Sequence, residues 1–310
     1  MKVINKPKIS IILTTYNGQR FIKDTIDSIL KQTLSDFQFI IVNDGSVDET
    51  EKIILSINDD RIEYYLIDHV GHANALNYGL SKCKAELTSI IDHDDIASSE
   101  KFQMQFDLFN KNNNVGVIGT VYSVINEKGK VLNRINVPLV NIEIKEKLLY
   151  RDVICHSGVM YKTKLIKDAG GYNQKYDVAS DYELWLRIVN KTEFFNIGEC
   201  LMRIRRHKLS QTSPLKSFKN NNKCALLVLN DHSCLVPIEK MYVKAIWEII
   251  YGDVKVGRNR LLSEICKSIT PFGTKFKYLI LSLLNRRAIN FYFYFNPLRR
   301  INALVKRTNQ

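Results

Sequence analysis

Ile9-Ser10-Ile11-Ile12-Leu13 runs directly into Thr14-Thr15-Tyr16-Asn17-Gly18. A short β-branched apolar run that stops at polar residues and a glycine reads as a buried strand delivering its carboxyl end to a turn. The pattern recurs at residues 37–42, ending in Asn43-Asp44-Gly45-Ser46, at 62–66, and at 87–91, ending in Asp92-His93-Asp94-Asp95. Between these runs the spacing is helical: Ile22, Ile26, Ile29 and Leu30 fall on one face, and Ser46-Val47-Asp48-Glu49 reads as a capping box for a helix that buries Ile53, Ile54 and Ile57. Strands alternating with helices predict an α/β fold, a mostly parallel sheet covered by helices on both faces. Ligands of such sheets sit beyond the carboxyl ends of the strands, so three polar, carboxylate-rich turns are expected along one edge.

Further on, residues 115–137 read as short strands with a hairpin turn at Glu127-Lys128-Gly129-Lys130. Ser180-Asp181-Tyr182-Glu183 reads as a second capping box, opening a helix with Leu184, Trp185, Leu186 and Ile188. Beyond about residue 214 the pattern is helical only.

The net charge of +13 over 310 residues is unevenly spread. Residues 1–200 hold 24 basic and 27 acidic side chains; residues 201–310 hold 21 and 5, with no acid after Glu264. The basic tail interleaves its cations with apolar runs at 276–284 and 291–295, each shorter than the roughly 20 residues of a spanning helix. Helices lying on an anionic membrane surface fit this pattern better than nucleic-acid binding, with packing on protein as the alternative. The six cysteines show no metal or disulfide spacing. Only five apolar or small residues separate Lys8 from Thr14, too few for a signal-peptide core, so a cytoplasmic protein, peripheral on the inner face of the membrane, is expected.

Asp92, Asp94 and Asp95 put three carboxylates in four residues, whose repulsion favours a bound cation; Mn²⁺ or Mg²⁺ bridging to phosphate suits them. An acidic surface turn is the bland alternative. Asp44 could accept a hydrogen bond from a base edge, Tyr16 could stack on a base and Thr14 could bond to it, though Asp-Gly-Ser is also a common turn. Asp181, in a first helical turn, has the ionised form a general base needs; an acid that merely complements the helix dipole is the competing reading.

Taken together, KISIILTTYNG (8–18), FQFIIVNDGSVDET (37–50), GHANALNYGL (71–80), LTSIIDHDDI (87–96) and GGYNQKYDVASDYELWLRI within 156–188 resemble, in order and spacing, the family 2 glycosyltransferases of the GT-A fold. The resemblance covers about residues 7–210. It implies a Rossmann-like catalytic domain over residues 1–213, with a nucleotide-sugar half at 1–96 and an acceptor half at 97–213; the pattern and charge of the tail add a helical basic extension at 214–310. It places the nucleoside on Thr14, Tyr16 and Asp44, the ribose and diphosphate on Asp92 and Asp94, the metal on Asp94 and Asp95, and the catalytic base on Asp181, with Ser180 where the family commonly has Glu. Arg203 to Ser210 resembles the Arg-x-His-x-x-Ser segment that brings cations to the leaving diphosphate, which adds His207 to the site. The roles of His72 and His156 stay open. The implied activity is inverting, metal-dependent transfer from a nucleotide sugar, a UDP-sugar in first place, to a glycan or lipid-linked hydroxyl, as in capsule, exopolysaccharide or O-antigen synthesis. A sugar-phosphate nucleotidyltransferase is the alternative enzyme, but the turn at 14–18 lacks its Gly-rich basic loop; a basic membrane adaptor is the alternative without catalysis.

Overall fold

The computed structural model describes residues 6–148, 152–176 and 179–207. The expected helical tail at 214–310, its membrane-facing character, the 213/214 boundary and the 208–210 end of the basic segment lie outside the described residues. The four expected strands form as β1 (Ile9–Thr15), β2 (Phe37–Asp44), β3 (Ile62–Ile67) and β4 (Leu87–Asp92). They lie parallel in the order β3-β2-β1-β4. Every residue of β1 and β2 is buried, as a parallel sheet covered on both faces requires.

The two faces separate by the period of two that a strand imposes. Ile9, Ile11 and Leu13 of β1, with Phe39 and Ile41 of β2, pack with Ile22, Ile26 and Ile29 of α1 (Ile22–Leu30) and Phe102 and Phe109 of α4 (Lys101–Lys111). Ile12 and Val42 face the other way, against α3 (His72–Lys82), so closely that a Cβ on Gly79 would lie 2.7 Å from Ile12 Cγ2.

Beyond β4 the sheet continues β8-β6-β9-β5, with β7 hydrogen-bonded to β6. These are β5 (Ile96–Ala97), β6 (Val115–Ile125), β7 (Val131–Ile135), β8 (Met160–Lys162) and β9 (Glu193–Arg205). The expected hairpin joins β6 to β7, with Gly129 at φ +80°. The pairings of β8 with β4 and β6, and of β5 with β9, are antiparallel, so the sheet is mixed on this side. The remaining helices are α2 (Thr50–Leu55), α5 (Asn141–Leu148), α6 (Thr163–Asp168) and α7 (Ser180–Ile188). No helix among the described residues is long and apolar enough to cross a membrane.

Neither expected capping box forms. Helix α2 starts at Thr50, whose backbone N–H donates to Asp48 Oδ1 at 3.0 Å, because Ser46 Oγ already accepts from Asn17 N at 2.9 Å. Ser180 is the first residue inside α7 rather than its cap, and Glu183 pairs with Arg187 at 2.6 Å instead of reaching back.

Candidate active site

The strand register sets the edge of the sheet. Thr14 lies beside Val42 on one side and Asp92 on the other, and Asp44 lies beside Ile67. Asp44 and Asp92 are thus the last residues of their strands, one residue or more beyond the expected ends, because the parallel ladder continues through them.

The turns after β1 and β2 are interlocked by Asn17, which has φ +53°. Its N–H reaches Ser46 Oγ, its Oδ1 accepts from Val47 N at 2.9 Å, and Gly18 N donates to Thr50 Oγ1 at 2.8 Å. Gly18 is needed for closeness: a Cβ there would lie 2.5 Å from Thr15 Oγ1 and 2.8 Å from His93 Cδ2. The first turn therefore rests on the acidic turn after β4. Thr25 Oγ1 of α1 bonds to the carbonyls of His93 and Asp95 and fixes that turn from below.

Asp44 is buried and spends its carboxylate on the loop after β3, accepting from Val70 N at 2.8 Å and Gly71 N at 3.1 Å and pairing with His69 Nδ1 at 2.8 Å. His69 in turn stacks on Tyr16, ring centroids 4.0 Å apart and ring planes nearly parallel, with Tyr16 42% exposed. The structure thus joins Tyr16 and Asp44 through His69, a residue the strand patterns did not single out although it follows the third run by three positions.

Of the acidic residues, Asp94 Oδ2 meets His207 Nε2 at 2.9 Å, and Asp95 is buried with Oδ1 accepting Arg205 N at 2.8 Å. Burial, with Asp94 and Asp92 nearby, raises the Asp95 carboxyl well above the usual range. Arg205 is 3% exposed and clamps the turn: it donates to Asp94 O, to Glu127 O and to Asp24 Oδ2, with its guanidinium over Phe21. Arg203 and Arg206, by contrast, are exposed. The expected basic segment is therefore divided, one arginine locked inside and two outside.

Asp92 differs from its neighbours. Its Oδ1 is buried with no hydrogen-bond partner, and its carboxylate, an imidazole nitrogen of His72 and one of His156 all lie within 4.8 Å of one another. His72 Nδ1 lies 3.3 Å from Thr14 Oγ1, and His156 Nε2 lies 3.1 Å from Tyr172 Oη. Burial, and to a lesser degree the proximity of His72, pulls the His156 pKa down to about 4, so its ring is neutral.

Asp181 sits in the first turn of α7, its Oδ1 accepting Tyr182 N at 2.8 Å. Its side chain hydrogen-bonds that of Asp152, and His72 is near enough to stabilise its charge. Burial raises both carboxyls, Asp152 the more strongly because the Asp181 charge adds to its burial. Asp152 lies in a loop with no periodic signal, and nothing in the sequence marks it. His72 thus lies within hydrogen-bond reach of Thr14, within 4.8 Å of the Asp92 carboxylate, and near enough to Asp181 to favour its ionised form.

A parallel sheet edge that interlocks the first two βα turns and sets a clamped acidic turn beside them is in keeping with the GT-A fold. The chain belongs to glycosyl transferase family 2, whose family model matches residues 10–169. Among its relatives, the O-antigen biosynthesis glycosyltransferase WbnJ of Escherichia coli is 31% identical over 218 residues, 68% of this chain and 85% of that one. An uncharacterized glycosyltransferase of Rickettsia felis is 32% identical over 228 residues, 71% of this chain; this chain spans 37% of that protein's length. Two solved structures share the fold: S. aureus TarS 1-349 in complex with UDP (TM-score 0.62, 15% identity, 98% of this chain and 92% of that one) and the mannosyltransferase PcManGT of Pyrobaculum calidifontis in complex with GDP-Man and Mn²⁺ (TM-score 0.53, 13% identity, 90% and 86%).

Proposed function

We propose that the protein is an inverting glycosyltransferase that moves a sugar from a UDP-sugar to a hydroxyl of a glycan or lipid-linked acceptor, in the assembly of a cell-surface polysaccharide. The observation that carries this reading is the gathering of Thr14, Asp92 and Asp181 near His72, which supports a shared site for the residues read as nucleotide-side, acidic-turn and base. The family supports sugar transfer, the TarS complex supports UDP, and the WbnJ relative supports the polysaccharide setting.

In this reading Tyr16, stacked on His69, offers its aromatic face to the base, and Thr14 and Asp44 complete the nucleoside wall, Asp44 by fixing the 69–71 backbone. Asp92 and Asp94 meet the ribose and diphosphate, with His207 behind Asp94. Asp181 takes the proton of the acceptor hydroxyl as its oxygen bonds to the anomeric carbon; the bond from that carbon to the diphosphate oxygen breaks with its electron pair leaving on the diphosphate. One displacement inverts the configuration. Asp94 and Asp95, the carboxylates the family resemblance assigns, would hold a Mn²⁺ or Mg²⁺ ion, which would neutralise charge on the departing diphosphate. The buried, unpartnered Asp92 Oδ1 fits such an ion. The basic region at 201–310 holds the enzyme at an anionic cytoplasmic membrane surface where a lipid-linked acceptor resides.

The test is Asp181→Asn. Transfer falls by about 10²–10⁴-fold, the range of general-base catalysis, while UDP affinity by calorimetry stays within about twofold. Equal loss of both removes Asp181 from the base role.

A further inference from the structure

The loop after β3 sets one ring between two of the residues assigned to the nucleoside. The His69 imidazole stacks on Tyr16, centroids 4.0 Å apart and planes 16° from parallel, while its Nδ1 lies 2.8 Å from Asp44 Oδ2. With one face and one edge the ring makes the two contacts that a base would make there, a stack on Tyr16 and a hydrogen bond to Asp44. We propose that the His69 ring is an internal competitor for the nucleobase: it holds the base's place between Tyr16 and Asp44, swings out when a nucleotide binds, and thereby sets the nucleotide affinity. This role rests on the UDP-sugar reading, in which Tyr16 and Asp44 serve the nucleoside.

Burial makes the two rings exclusive. The Asp44 side chain is only 5% exposed, and its carboxylate is held by the N–H groups of Val70 and Gly71 and by the imidazole. Of these partners only the imidazole can leave by rotation of its own side chain, so a base edge gains the carboxylate by taking over the hydrogen bond of His69. Val70 and Gly71 go on donating during the exchange, which spares the buried charge from being left bare, and an imide N–H such as that of uracil restores the third bond.

The ring has somewhere to go and its backbone does not. The His69 side chain is 54% exposed, so the imidazole turns into water without disturbing the core. Beneath it the chain is fixed: a Cβ on Gly45 would lie 3.0 Å from His69 N, and Asp44 anchors the next two N–H groups. The motion is therefore a side-chain swing on a rigid loop. Every nucleotide then binds with its intrinsic dissociation constant divided by the fraction of chains whose ring is out, a fraction that the stack and the hydrogen bond keep small.

The experiment titrates UDP by calorimetry, in the presence of Mg²⁺, into the full-length wild-type chain and His69→Ala. The variant binds UDP more tightly, by roughly threefold to thirtyfold for the loss of a competing stack and hydrogen bond. Inorganic pyrophosphate, which has no base, binds both chains alike. In the wild-type chain labelled with ¹³C at histidine Cε1, six resonances are expected. The one missing from His69→Ala moves on UDP addition toward its position in Tyr16→Leu, where the stack is gone. Unchanged or weaker UDP binding in His69→Ala, an equal gain for pyrophosphate, or a His69 resonance that stays in place under saturating UDP overturns the proposal; ordinary transferase activity alongside any of these leaves the reading above standing. A base-dependent gain in a chain without transferase activity upholds the competitor and overturns that reading. No UDP binding by either chain overturns both.

Discussion

The proton chemistry of Asp181 turns on its partner. A general base must be ionised, and burial works against that by raising the Asp181 carboxyl. The Tyr182 N–H, the proximity of His72 and the hydrogen bond from Asp152 work the other way. Burial and the Asp181 charge together raise Asp152 well above the usual range, so the two carboxyls titrate as a pair in which a protonated Asp152 can donate to an ionised Asp181. Among the described residues, His72 and Tyr172 also lie near Asp181, and the buried Tyr172 phenol is itself pushed up, so it stays protonated. The active form therefore exists above the raised Asp181 value and is lost as pH falls through it. Asp152→Ala removes the donor and moves the acid limb of kcat/KM to higher pH; Asp152→Asn keeps an N–H donor and leaves the limb at or below its original position. The two pH profiles check this, and coincident limbs for wild type and Asp152→Ala would refute it. The sequence marks Asp181 through the helix it opens, but not Asp152, because a loop carboxylate acquires its role only from what the fold places against it.

Elements show the same division. The strands are legible because burial on both faces of a parallel sheet demands unbroken β-branched runs, and 9–13, 37–42 and 87–91 have no other good use. Helix starts are less so: Ser46 and Ser180 match the capping pattern, yet Asn17 takes the first hydroxyl and α7 begins one residue early. Least legible is Lys101, which opens α4 yet is fully buried, its Nζ donating to Ser89 Oγ of β4 at 2.9 Å and lying over the Phe102 ring. Burial lowers its pKa from 10.5 to about 7. Below about pH 7 both folded and unfolded chains carry the proton, and the folded state bears the whole cost of burying the charge. Between about 7 and 10.5 only the unfolded chain holds it, so the Lys101 contribution to stability rises with pH across that window. Lys101→Met is accordingly more stable than wild type by about 2–4 kcal/mol at pH 6.5, and the advantage vanishes by pH 10, where the neutral amine keeps its bond to Ser89. Denaturant unfolding of both proteins at the two pH values measures the difference; a difference independent of pH would mean that Lys101 is an ordinary charged lysine.

At the scale of the whole chain the decisive quantity is where the charge sits. Residues 1–200 carry a small net negative charge, in keeping with a catalytic body whose acidic residues gather at one sheet edge, whereas residues 201–310 carry 21 cations against 5 acids. The described part of that region already splits its cations by task, since Arg205 is consumed by the acidic turn while Arg203 and Arg206 stay in solvent. A negative body would by itself be repelled from an anionic bilayer, so the membrane attachment proposed above would come from the basic region, at about 1 kcal/mol for each cation near the surface. That attraction is screened within roughly 10 Å at 0.1 M salt and within about 3 Å at 1 M. Apolar insertion is not screened, and the runs at 276–284 and 291–295 supply apolar side chains for it. The full chain is therefore expected to float with vesicles containing phosphatidylserine at low salt, to be largely released at 1 M salt, and to ignore neutral vesicles under both conditions. Release by salt marks charge as the dominant force; flotation with neutral vesicles would transfer that role to the apolar runs, and absence of binding to either would leave the basic region to a protein partner.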